Sequence, residues 1–127
     1  MYTHDDMTSG LETIFQALAD RTRLRILGLL AEGELCVCYF VEILGEPQPK
    51  ISRHLAYLRR IGLVSARRDG KWMHYRIAQR SPVLDAVLGE LAADKQIQRD
   101  RGALKKACCG VRVPAGLQNA PRPDRPV

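Results

Sequence analysis

Four cysteines fall in two close pairs, Cys36-Val37-Cys38 and Cys108-Cys109. Thiolates are soft ligands that select soft, thiophilic ions. The start of the chain, Met1-Tyr2-Thr3-His4-Asp5-Asp6, is polar and acidic, unlike a secretory leader, and no apolar run is long enough to cross a bilayer. A cytoplasmic setting without membrane contact is therefore expected. Thiols stay reduced there, so both pairs read as metal-binding, redox-active or buried before they read as disulfides.

The other chemistry on offer is cationic. Between Lys50 and Arg80 stand nine Lys and Arg residues and one acid, Asp69, so this stretch carries +8 while the whole chain carries +6. Such a footprint suits a polyanion, with nucleic acid first. A merely solvated surface is the weaker reading, because the charges lie on patterned elements.

The patterning supplies the frame. Leu11, Ile14, Phe15 and Leu18 make an amphipathic helix, with Thr8 or Ser9 as its cap. Asp20 caps a second helix to Ala31, with Leu24, Leu27 and Leu30 or Ile26 inward, ended by Gly33. A third fits Leu35 to Leu44, stopped by Gly45. Pro47 and Pro49 bracket a turn, and proline suits a first helical position, so a fourth helix runs from about Pro49 to Ile61. Leu63 to Arg68 and Trp72 to Ile77 flank Asp69-Gly70-Lys71, a hairpin signal. In the second strand Met73, Tyr75 and Ile77 face one way and Trp72, His74 and Arg76 the other. Ser81-Pro82 opens a last helix through Leu84, Leu88 and Leu91 that extends past Ile97. The pattern decays from Gly102, and Pro114, Pro121, Pro123 and Pro126 suggest a disordered tail.

The order of elements predicts a mainly α fold with a two-stranded β wing, a winged helix-turn-helix, and surplus apolar stripes suit a dimer. The expected divisions are an N-terminal arm, 1–9; a DNA-binding and dimerisation domain, 10–101; and a cysteine-containing, largely flexible tail, 102–127. The first and last helices are the expected homodimer interface, because their apolar stripes exceed what so small a core needs.

In the fourth helix Ile51, Leu55 and Leu58 share the inward face, which leaves Lys50, Arg53, His54, Tyr57 and Arg60 around the exposed sides. Laid in the major groove of double-stranded DNA, such a helix puts its N-terminal residues at base edges. Gln48 and Ser52 suit bases or phosphates, Arg53 suits guanine through two hydrogen bonds, and His54 suits a phosphate. Arg67, Arg68, Lys71 and Arg76 of the wing suit backbone or minor-groove contact. Binding should fall steeply with salt.

Three segments carry a resemblance: Leu18-Ala-Asp-Arg-Thr-Arg-Leu-Arg-Ile-Leu27, Gln48-Pro-Lys-Ile-Ser-Arg-His-Leu55 and Gly70-Lys-Trp-Met-His-Tyr-Arg76. Together, over roughly residues 11 to 95, the chain resembles the ArsR/SmtB family of metal-responsive repressors. The resemblance implies a homodimer that represses its own resistance operon and leaves the operator when a toxic metal or metalloid binds.

Glu34-Leu-Cys-Val-Cys38 is similar to that family's arsenic- and cadmium-sensing motif. Positions i and i+2 of a regular helix do not face each other, so one ion held by Cys36 and Cys38 is expected to distort the first turn of the third helix. The motif often has a further cysteine where this chain has Val41. Cys108 or Cys109, from a flexible segment of either subunit, is the expected source of a third thiolate. The inducer is thus expected to be arsenite, As(III), with antimonite, Sb(III), behaving similarly. Cadmium, lead or zinc remain alternatives: no cysteine precedes Cys36, and Asp85 and Asp94 of the last helix have no histidine beside them. A thiol-redox trigger on the same fold is the other alternative. An enzyme is not expected, because no Cys-x-x-Cys accompanies a strand and no general base is evident.

Overall fold

A computed structural model describes residues 10–109, apart from the side chain of Cys109, and residues 113–123. The expected N-terminal arm, its candidate caps Thr8 and Ser9, and Pro126 lie outside the described residues.

Among the described residues six helices and three strands follow in order: α1 (Leu11–Leu18), α2 (Arg21–Leu30), β1 (Leu35–Cys36), α3 (Val37–Leu44), α4 (Gln48–Arg60), β2 (Val64–Asp69), β3 (Trp72–Ile77), α5 (Pro82–Leu91) and α6 (Lys95–Cys109). A 3-10 turn, Ala115–Leu117, comes after them. Helix α2 starts where Asp20 accepts a hydrogen bond from the Arg23 amide at 2.9 Å. Helix α3 stops at Gly45, whose φ of 69° is the left-handed cap that glycine adopts without strain. Pro47 then caps α4, with Pro49 in its first turn. Fully buried Tyr39 and Phe40 of α3, Ile51, Leu55 and Leu58 of α4, and Ile26, Leu27 and Leu29 of α2 form the core that sets the angle of α4.

The wing hairpin pairs Asp69 with Trp72. Gly70, with φ of 61°, takes the first loop position, as type II′ hairpins require. The sheet has three strands rather than the expected two, in the order β1-β3-β2. The third helix therefore begins two residues later than its apolar run suggests. Leu35 and Cys36 are extended and pair antiparallel with Tyr75 and His74.

The C-terminal part also differs from expectation. The last helix breaks after Leu91, and a new one, α6, opens at Asp94, whose carboxylate accepts from the amides of Gln96 and Ile97 at 3.0 and 3.1 Å. It stays helical through Cys109, past the boundary expected at 101. Helix α6 is held against α2 by Arg25, which gives two 2.9 Å hydrogen bonds to Asp100, and by Arg101, which donates to the Gly28 carbonyl at 2.9 Å. Gly28 permits the approach, because a Cβ there would stand 2.7 Å from Ile97 Cγ2. Beyond α6, Leu117 of the 3-10 turn is buried in the common core.

Candidate nucleic-acid interface and thiol cluster

Along α4, Gln48, Ser52 and Arg53 are exposed, next to Ala56 and Arg60. Arg53 makes no hydrogen bond or ion pair with any described residue, so its guanidinium is available to a ligand. Lys50 is half-buried and ion-paired with Glu46, one turn before it. The wing offers Arg67, Arg68, Lys71 and Arg76, all exposed. Arg67 is committed in part to Glu34, at 2.7 and 3.2 Å. Arg68 caps the turn through the Gly70 carbonyl at 3.4 Å, and the Lys71 ammonium stands 5.0 Å from the Trp72 ring centre.

His54 does not stand free on the outer face. Its side chain is only 17% exposed, with Nε2 3.9 Å from Asp20 and Nδ1 3.3 Å from an Arg23 nitrogen. Burial and the cations Arg23, Lys50 and Arg53 pull its pKa below the ordinary histidine value, against the opposing charge of Asp20. It joins α4 to the start of α2. Arg23 extends that joint: it donates to the carbonyls of Ala17 and Gln16, at 2.7 and 3.1 Å, and sits 4.7 Å over the Tyr57 ring. Tyr57 is correspondingly half-buried. Sequence reasoning missed Arg23, although its place three residues after the Asp20 cap was a local signal.

His74 is likewise inside, 7% exposed, directly across the ladder from Cys36. Its Nε2 finds no hydrogen-bond partner among the described residues and lies 3.9 Å from Asp69.

The sulfurs of Cys36 and Cys38 lie 2.9 Å apart, with Cys38 donating to Cys36. The premise of the expected distortion, that both cysteines lie within the helix, is not met: Cys36 is extended, at φ −71° and ψ 145°, and caps α3 from outside it. An extended residue followed by a helical turn brings side chains two apart onto one side. The Cys38 hydrogen bond, aided by nearby amides against the opposing effect of burial, brings the Cys36 thiol down to about 7. The same hydrogen bond and burial push Cys38 far up. The pair thus holds one proton between two sulfurs near neutral pH, a form suited to a thiophilic electrophile.

Cys108 lies on α6 in the buried core rather than on a flexible segment. Buried Tyr39 marks the neighbourhood: burial raises its phenol, and Cys38, Cys108 and Cys36 each add to the rise. Arg122 reaches back to the Cys108 carbonyl at 2.9 Å. The side chain of Cys109 lies outside the described residues. Among the described residues no three His, Cys, Asp or Glu side chains converge closely enough to hold an ion.

Residues 20–66 match the family described as "Bacterial regulatory protein, arsR family". The chain is 45% identical over 101 residues to the "Arsenic resistance transcriptional regulator ArsR1" of Pseudomonas putida, covering 78% of this chain and 79% of that one. It is 56% identical over 76 residues to the "Arsenical resistance operon repressor" of Escherichia coli, covering 59% of this chain and 65% of that protein, just under two thirds of its length. Among solved structures, HlyU from Vibrio cholerae superposes with a TM-score of 0.58 at 31% identity, over 72% of this chain and 94% of that one. No helix among the described residues is long and apolar enough to cross a membrane. Sequence identity, element order and the shared winged helix agree: the chain belongs to the arsR family of bacterial regulatory proteins, which are transcriptional regulators rather than enzymes.

Proposed function

We propose that the protein is an arsenic-responsive transcriptional repressor. As a cytoplasmic homodimer it binds double-stranded operator DNA of an arsenic-resistance operon through α4 and the wing. It leaves the DNA when trivalent arsenic, or antimony, is bound by Cys36, Cys38 and a third thiolate from Cys108 or Cys109. The DNA-contacting set is Gln48, Lys50, Ser52, Arg53, Tyr57, Arg67, Arg68, Lys71 and Arg76, with His54 acting through the position of α4.

The observation that carries this reading is the 2.9 Å sulfur pair at the junction of β1 and α3. Cys36 sits in the sheet opposite His74 of the wing, and Cys38 sits in the first turn of the helix packed on α4. Arsenic bridging the two sulfurs replaces the hydrogen bond between them, so its binding acts on both reading elements at once. Binding need only favour one arrangement of the junction to shift the population away from the DNA-bound form. The third donor must come by a rearrangement of α6, from Cys109 or from a second subunit, since no third ligand converges on the pair among the described residues. For the dimer, Leu11 and Phe15 on α1 are each 55% exposed, apolar surface that a second copy would cover.

The test is a mobility shift on the protein's own promoter. Arsenite in the presence of reductant should release the DNA, and Cys36→Ser with Cys38→Ser should bind DNA but ignore arsenite. The close sulfur pair also supports a redox trigger. If arsenite has no effect and an oxidant alone releases the DNA, that second reading replaces the first. Sedimentation should give about twice the 14.3 kDa chain mass.

A further inference from the structure

Arg23 meets three helices at once. Its amide lies in the first turn of α2, bonded to the Asp20 cap. Its guanidinium sends Nε to the Ala17 carbonyl at 2.7 Å and Nη2 to the Gln16 carbonyl at 3.1 Å, both in the last turn of α1. Carbonyls there form the negative end of the helix dipole, which a cation with two donors satisfies. The third nitrogen, Nη1, stands 3.3 Å from His54 Nδ1, and the guanidinium carbon lies 4.7 Å over the Tyr57 ring, both on α4. Among the described residues Arg23 is the one side chain that hydrogen-bonds to the α1 backbone.

We propose that Arg23 is a positioning residue for operator binding: it fixes α4 relative to α1, and through α1 relative to a second copy of the chain, and so sets which half-site spacing the protein accepts. The inference rests on the homodimer reading and names the side chain through which that dimer acts on DNA.

Leu11 and Phe15 lie one turn apart on α1, each 55% exposed, and are the apolar surface that the reading gives to the partner copy. Helix α1 is only eight residues long, so Arg23 grips it immediately after Phe15. A two-fold dimer presents two copies of α4, and the distance between them is set by whatever joins each to the shared interface. Buried Ile51, Leu55 and Leu58 seat α4 on the core of its own subunit, but apolar burial has no direction of its own. Two bonds to fixed carbonyls and a flat stack on Tyr57 do have direction. Arg60 covers the same ring, 5.3 Å from its centre, so the stack is held on α4 as well. The tolerance required is small: one extra base pair moves a half-site by about 3.4 Å and turns it by about 35°.

The test uses the full chain and two DNA fragments: the footprinted operator of its own promoter, and the same operator with one base pair inserted between half-sites. Anisotropy gives the ratio of the two affinities. The unmodified protein should prefer the natural spacing by roughly tenfold or more, within the ordinary range of coupling between two sites. Arg23→Met keeps an apolar stem on Tyr57 and loses the carbonyl bonds, and its ratio should fall toward one. A merely structural role would weaken both fragments alike and leave the ratio unchanged, which overturns the proposal. Arg23→Lys keeps a cation near Tyr57 and can reach one carbonyl, so its ratio should lie between the other two. If Arg23→Met does not fold, Arg23→Lys decides alone, and a ratio equal to that of the unmodified protein overturns the proposal. Sedimentation separates the two readings. A monomer without spacing preference sinks the homodimer reading and this inference with it, whereas a dimer whose preference survives the substitutions sinks this inference alone.

Discussion

Arg53 and His54 are neighbours in the sequence, yet the structure gives them different work, and a pair of single substitutions separates the two. Arg53 is exposed in the first half of α4 and has no hydrogen bond or ion pair among the described residues. Replacing it with alanine removes no internal contact, so the melting temperature should stay within error. If it reads guanine with two hydrogen bonds, the loss is about 1–3 kcal/mol per half-site, which is roughly 5- to 150-fold in affinity. That loss should appear on the cognate promoter and be nearly absent on scrambled DNA, and the salt slope should hold. His54 is 17% exposed and joined to Arg23 and Asp20 at 3.3 and 3.9 Å. His54→Ala removes one partly buried polar contact, worth about 0.5–1.5 kcal/mol. For a chain of this size that lowers the melting temperature by about 3–6 °C per kcal/mol. Its effect on DNA should be modest and alike on cognate and scrambled fragments, because it acts through the seating of α4. Fluorescence anisotropy over a salt series, with thermal melts of the free proteins, reads all four quantities. The reasoning is refuted if Arg53→Ala weakens both DNAs equally and reduces the salt slope by about one, which marks a phosphate contact. It is refuted for His54 if stability is unchanged while only cognate binding collapses.

Four other outcomes follow from the thiols and from α6. Thiolate absorbance of the free protein should show one cysteine titrating near 7, and Cys38→Ala should return that midpoint toward the ordinary 9.0. Because the folded value lies below the unfolded one, the Cys36 thiolate stabilises the fold fully above about pH 9 and not at all well below 7, a trend that denaturation across that window checks. Asp100→Ala leaves the Arg25 guanidinium, 15% exposed, without its carboxylate, so denaturant unfolding should show a loss of about 3–5 kcal/mol; a loss below 1 would mean α6 is not clamped as described. Val41→Cys places a third thiol one turn from Cys38, and in a Cys108→Ser/Cys109→Ser background it should restore the arsenite response measured by DNA release.

What could be read from the sequence was what the chain decides locally. The proline bracket before α4, the Ser81 cap of α5 and the Asp-Gly hairpin each act within a few residues, and each lies where its chemistry requires. The strand that carries Cys36 is different. β1 is two residues long, and nothing near Leu35 announces a strand, because its partners Tyr75 and His74 stand almost forty positions away. Helix α6 was hidden for another reason. Its buried positions, Ile97, Leu104, Ala107 and Cys108, are widely spaced or small among Lys and Arg, so its periodicity is faint. Its place is fixed instead by Asp100, Arg101 and the Gly28 approach, contacts across about seventy residues. For His54 the failure was one of type: a histidine on the polar side of a helix reads as a surface donor until the neighbouring helix is put beside it.

The two-residue strand matters more than its length suggests. Were Cys36 helical, as its apolar surroundings imply, its sulfur would point away from Cys38 and an ion would have to unwind α3 to join them. As an extended residue it brings the sulfurs together at no cost in helix and is hydrogen-bonded into the wing sheet. On the proposed reading the sensor thereby sits on one backbone segment that touches both DNA-reading elements, the wing through β1 and α4 through α3. A change of a few tenths of an ångström between the sulfurs has two outlets, through His74 and β3 to the wing and through α3 to α4. Well-packed interiors do not absorb such shifts gradually, and fully buried Tyr39 and Phe40 lie immediately beyond the pair. On the proposed reading, a ligand there is expected to change the relative placement of helix and wing, and with it operator binding.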